Sequence, residues 1–87
     1  MSFLSDNLRY LRAKQNYSQL KVANELVISR GRYAKYEDGM AEPPLAIMQR
    51  ISNYFKISID LLISIDVRDL PSDAVKEFWS HQQLLKG

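Results

Sequence analysis

Arg30, Gly31, Arg32 and Lys35 follow closely on Ser29, and they are the residues of this chain best suited to chemistry with a partner. At the first turn of a helix, an arginine can donate two parallel hydrogen bonds to guanine O6 and N7 in a DNA major groove. Such a pair discriminates by about 1–3 kcal/mol. The same side chain can instead rest on a phosphate, and for Arg30 both roles are open. Ala34 offers a methyl to thymine, and Lys35 is long enough for a base or a phosphate. Gly31 costs about 1 kcal/mol against alanine inside a helix. It reads either as room for the backbone to approach the groove or as tolerance near a helix end. Upstream, Ser18 and Gln19 open another helix, whose free backbone N–H groups attract anions. Capping alone would also explain Ser18.

These side chains need two short helices set close together, and residues 17–39 contain them with almost no linker. Ser18 and Ser29 are each placed as an N-cap, where a hydroxyl accepts a free N–H of the first turn. Val22, Ala23 and Leu26 form one apolar face, Tyr33 and Tyr36 another, and Ala23 is small where the helices cross. Two helices joined by a tight turn make a helix-turn-helix. Such units place the start of their second helix at the base edges. At ~100° per residue, Arg30, Gly31, Ala34, Lys35 and Asp38 share one arc of that helix. Tyr33, Tyr36 and Glu37 share the opposite arc, with Arg32 on its flank.

The remaining pattern is helical too. Leu4, Leu8 and Leu11 recur at helical spacing and predict a first helix over residues 3–15. Gly39 suits a left-handed position after the helix of residues 29–38. Pro43 ends helical structure, and Pro44 fits the first turn of a helix over 44–54. That helix is read with Leu45, Met48, Ile51 and Phe55 inward. Ser58 caps a fifth helix with Ile59, Leu61 and Leu62. The competing reading makes residues 55–67 a strand pair, because isoleucines favour β structure. Residues 66–71 read as a connector. Ser72 then caps a sixth helix, 73–85, with Val75, Phe78, Trp79 and Gln82 on one face.

Residues 7–63 resemble the phage-repressor type of helix-turn-helix domain, the Cro/C1 or XRE-like group of transcriptional regulators. The matching landmarks are Leu8, Leu11, Arg12, Ser18-Gln19, Val22-Ala23, Leu26, Ile28-Ser29, Tyr36-Glu37, Gly39, Pro43, Leu45, Ile51, Phe55 and residues 57–62. The resemblance implies an all-α, five-helix phage-repressor-like DNA-binding domain over residues 1–65. The connector and an additional C-terminal amphipathic helix occupy 66–87. It implies a sequence-specific transcriptional regulator of double-stranded DNA that reads the major groove with residues 29–38. The contact set is then Ser18, Gln19, Ser29, Arg30, Gly31, Arg32, Ala34 and Lys35, with Gln19 clamping a phosphate. It also implies an internal ion pair between Arg12 and Glu37. The chain departs from the family in three places. Lys21 stands where an acidic residue often completes a capping box. The loop after Gly39 is Met40-Ala41-Glu42 rather than basic, and Glu42 repels phosphate. Tyr33 replaces a more usual aliphatic.

Composition narrows the alternatives. With 87 residues, 46% of them hydrophobic and 25% charged, the chain suits one globular domain. It has no cysteine, which points to reducing cytoplasm rather than a disulfide-framed secreted domain. No apolar run approaches the roughly 20 residues of a membrane span, and the N-terminus does not read as a signal peptide. Net charge is only +2, yet Arg9, Arg12, Lys14, Lys21, Arg30, Arg32 and Lys35 all fall in the first three helices. A lone histidine, His81, and no paired carboxylates argue against an enzyme, a metal site or a cofactor. The rival function is a helix-turn-helix fold used as a protein-interaction module with weak DNA binding. A homodimer is expected, since two-fold dimers read half-sites about 34 Å apart. Val75, Phe78, Trp79 and Gln82 are its expected interface; the other possibility is that they fold back on the first and fifth helices. A protein partner or a further C-terminal domain stays open.

Overall fold

The computed structural model describes residues 2–70; Met1 and residues 71–87 lie outside the described residues. The elements run α1 (Leu4–Lys14), α2 (Gln19–Leu26), α3 (Arg30–Glu37), α4 (Leu45–Phe55) and α5 (Ile59–Ser64), followed by a single 3-10 turn, Val67–Asp69. There is no strand among the described residues. The strand pair considered for residues 55–67 is therefore replaced by α5. Three helices start on a serine. The Ser18 hydroxyl accepts from Lys21 N at 3.0 Å, Ser29 from Arg32 N at 3.1 Å and Ser58 from Leu61 N at 3.1 Å. Each satisfies one of the N–H groups that a helix start leaves free. At the far end of α3, Gly39 takes φ 72° and Met40 N donates to Lys35 O at 2.9 Å. This closing turn favours glycine because a side chain is strained there.

The helices close around one core, in which α3 packs on α1 and α2, α4 on α2 and α5, and α5 on α1. Leu8, Val22, Ala23, Leu26, Ile51 and Leu62 are essentially sealed from solvent, joined by Leu11 and Phe55. Leu61 is only partly buried against this cluster. Leu45 is not in it: the residue is 67% exposed, and Ile47 takes the inward place. The reason is its angular position on the helix. Pro44 is the N-cap of α4 with extended backbone, not its first-turn residue, and the helix continues to Phe55. Ile47, Met48, Ile51 and Phe55 then span one arc, and Leu45 lies roughly 100° from its centre.

A buried polar side chain fastens the end of α5. Asn7 on α1 is fully buried. Its Nδ2 donates to Leu62 O and Ile65 O, each at 2.8 Å, and its Oδ1 accepts from Val67 N at 3.0 Å. These bonds serve backbone groups that the end of a helix would otherwise leave unpaired. They also carry the packed unit through Val67, which is buried. The sixth helix read over residues 73–85, with His81, lies outside the described residues.

Candidate nucleic-acid interface

The outer face of α3 is the candidate interface. Arg30, Gly31, Arg32 and Lys35 are exposed, and Ala34 is half-buried. Tyr33 and Tyr36 point into the core, which fixes the outward direction of the others. Arg32 stands among the exposed residues rather than beside the inner tyrosines. A Cβ built at Gly31 would meet nothing within 4 Å. Packing among the described residues therefore does not require glycine there.

Charge is free on this face. Among the described residues, Arg30, Arg32 and Lys35 enter no salt bridge, whereas other cations are engaged. Arg9 pairs with Asp6 and Arg68 with Asp66. Lys21 lies 3.9 Å from Glu25 and 4.9 Å from the ring centre of Tyr17. The helix N-terminus adds partial positive charge to the same end of α3. Met40 and Glu42, in the loop after α3, are also exposed.

Behind this face, Glu37 joins several elements. Its carboxylate is 1% exposed. Arg12 Nε donates to Glu37 Oε2 at 2.6 Å and Arg12 Nη2 to Oε1 at 3.0 Å. Gln19 Nε2 donates to the same Oε1 at 3.1 Å. Arg12 also donates through Nη1 to Tyr17 O at 2.9 Å, and Arg9 Nη1 reaches Glu37 O at 2.8 Å. One carboxylate thus ties α1, the turn after it, the first residue of α2 and the end of α3. Burial by itself would raise the Glu37 carboxyl. Hydrogen bonds from Arg12 first and from Gln19 outweigh burial and hold it below the usual carboxylate range. The same contact raises the Arg12 guanidinium.

Gln19, assigned to a phosphate by sequence, is half-buried and already commits one N–H to Glu37. Its carbonyl and second N–H are left for an outside partner. The link between Gln19 and Glu37 has no sequence signal, nor does Arg50 Nη1 donating to Leu26 O at 3.0 Å at the end of α2. Val75, Phe78, Trp79 and Gln82 lie outside the described residues.

Tyr33 provides a check on this cluster. Burial, reinforced by Glu37, pushes its phenol far above the usual range. Its hydroxyl is close to the Arg12–Glu37 pair but has no partner in hydrogen-bond geometry. A buried hydroxyl left unpaired costs about 1–3 kcal/mol. Tyr33→Phe should therefore raise stability by about 1 kcal/mol in urea denaturation at neutral pH. A loss of that size instead would show that the hydroxyl is bonded in solution.

No group of three or more His, Cys, Asp or Glu side chains among the described residues could hold a metal ion. No helix among them is long and apolar enough to cross a membrane.

Residues 8–62 match the family described as Helix-turn-helix. The SPbeta prophage-derived HTH-type transcriptional regulator YonR of Bacillus subtilis (strain 168) is 40% identical over 58 residues, 67% of this chain and 54% of that protein. The chain thus spans about half the length of this relative. Among solved structures, a transcriptional regulator from Listeria innocua superposes with a TM-score of 0.70 at 23% identity, covering 100% of this chain and 80% of that one. A SinR protein/SinI protein complex gives 0.67 at 15% identity, covering 95% and 97%. These two likenesses concern the fold alone.

Proposed function

This chain belongs to the helix-turn-helix family of transcriptional regulators, and on that premise we propose that it binds double-stranded DNA sequence-specifically through α3. The observation that carries this reading is the unpaired cationic face of Arg30, Arg32 and Lys35, held outward by the buried tyrosines behind it. Arg30, at the start of α3, is the base reader. Gly31 leaves space for close approach, Ala34 meets a thymine methyl, and Lys35 reaches a base or phosphate. Ser29 and Arg32 complete the set beside them. Ser18 and Gln19 hold a phosphate at the N-terminus of α2, with Glu37 steadying the Gln19 amide. The sequence boundary at residue 65 moves outward: the packed unit that runs through Val67 forms the DNA-binding unit, and the residues after it supply a segment for pairing two copies. The protein acts in the cytoplasm, where its DNA is, without catalysis.

A single helix-turn-helix reads only a few base pairs, so two copies on a two-fold site are the natural assembly. A salt titration tests both parts. With three to five phosphate contacts, affinity for a selected duplex should fall roughly 50–500-fold between 50 and 200 mM salt. Sedimentation of the same mixture should show two chains per duplex. One chain per duplex would end the dimer reading. Binding of a protein partner with no salt-dependent DNA affinity would favour the interaction-module reading. That second reading is supported by exposed Glu42 and Met40, an acidic and an apolar residue in the loop after α3.

A further inference from the structure

The turn between α2 and α3 holds an unusual residue. Val27 caps α2 in the left-handed region, at φ 59° and ψ 46°. Among the described residues, Asn16 and Lys56 also have positive φ without being glycine, but neither is branched at Cβ. A β-branched side chain at positive φ is a real outlier, because its methyls crowd the backbone. Glycine or asparagine fills such a cap with less strain.

Nothing among the described residues explains the valine. Its side chain is 77% exposed, so it contributes little to the core. Its duties in the turn belong to the backbone. Val27 N donates to Ala23 O and Asn24 O, and Ile28 N donates to Ala23 O at 3.0 Å. Any residue that tolerates the conformation would make these bonds. Strain that persists without a local return marks a candidate functional position. The position itself is suggestive: Val27 stands two residues before Ser29, the cap of α3, and three before Arg30. Three residues reach at most about 11 Å. An exposed isopropyl group is thus displayed beside the start of the proposed reading helix.

We propose that Val27 is a further DNA-contacting residue, its isopropyl group packing on an apolar part of the duplex, a thymine methyl or a deoxyribose face, next to the site of Arg30. The proposal rests on the DNA-binding reading above. The test uses Val27→Gly and Val27→Asn in the full chain, with a duplex selected by the wild type. A second duplex carries deoxyuridine in place of each thymidine. Both variants should melt higher, by roughly 4–8 °C, yet bind the selected duplex about five- to tenfold more weakly. If the partner is a thymine methyl, the uracil duplex lowers wild-type affinity and the gap to Val27→Gly closes. If it is deoxyribose, the gap persists on both duplexes. Variants that match wild-type affinity overturn the contact, and variants that melt no higher overturn the strain behind it. A wild type that selects no duplex would instead overturn the DNA-binding reading itself.

Discussion

Arg12→Ala is expected to destabilise the protein by about 3–5 kcal/mol, the cost of stranding a buried carboxylate without its ion partner. Glu37 would keep only the Gln19 hydrogen bond to its carboxylate, and Tyr17 O would lose its donor. At 4–8 °C per kcal/mol, the loss corresponds to a fall in Tm of roughly 12 °C or more. Urea denaturation of wild type and variant measures it directly. A change below about 1 kcal/mol would mean that water solvates Glu37, and the hub would not brace α3. Replacing both partners with apolar residues, Arg12→Met with Glu37→Leu, should cost much less, because no charge is stranded.

The same pair sets an acid dependence. The folded-state carboxyl of Glu37 lies below its ordinary value. Its contribution is therefore complete above the ordinary carboxylate pKa and is lost as pH falls through the lowered one. Denaturation midpoints of wild type should drop over that acid window, and Glu37→Gln should flatten this part of the profile.

The helices were legible because each carries local signals. Ser18, Ser29 and Ser58 mark starts, Gly39 marks an end, and the apolar residues of α1 and α2 recur at helical spacing. The outward face of α3 followed from the same period, because Tyr33 and Tyr36 cannot share the solvent side with arginines. Leu45 misled because its i, i+3 spacing to Met48 reads as helical, although at ~100° per residue it falls beyond the edge of the arc that Ile47, Met48, Ile51 and Phe55 share. Asn7 carried no signal at all. Its partners Leu62, Ile65 and Val67 lie far along the chain, and a lone asparagine in a helix reads as surface. The Gln19–Glu37 bond was hidden for the same reason, and the strain at Val27 is a backbone property invisible in residue type.

Arg30→Ala should weaken binding to the selected site by about 1–3 kcal/mol, roughly 5–150-fold, and relax preference at one base pair. The loss should be specific to that base pair because a bidentate contact reads guanine O6 and N7, whereas a phosphate contact is blind to sequence. Folding should be spared, since Arg30 is exposed and enters no salt bridge among the described residues. Gln19→Ala, by contrast, should lower affinity for all duplexes alike. The most direct measurement is selection of bound sequences from random duplex DNA, run in parallel with wild type and Arg30→Ala. Base reading by Arg30 requires a defined motif for the wild type, and loss of a guanine at one position of each half-site for the variant. Recovery of no motif by the wild type, or of an identical motif by both proteins at equal affinity, would contradict it.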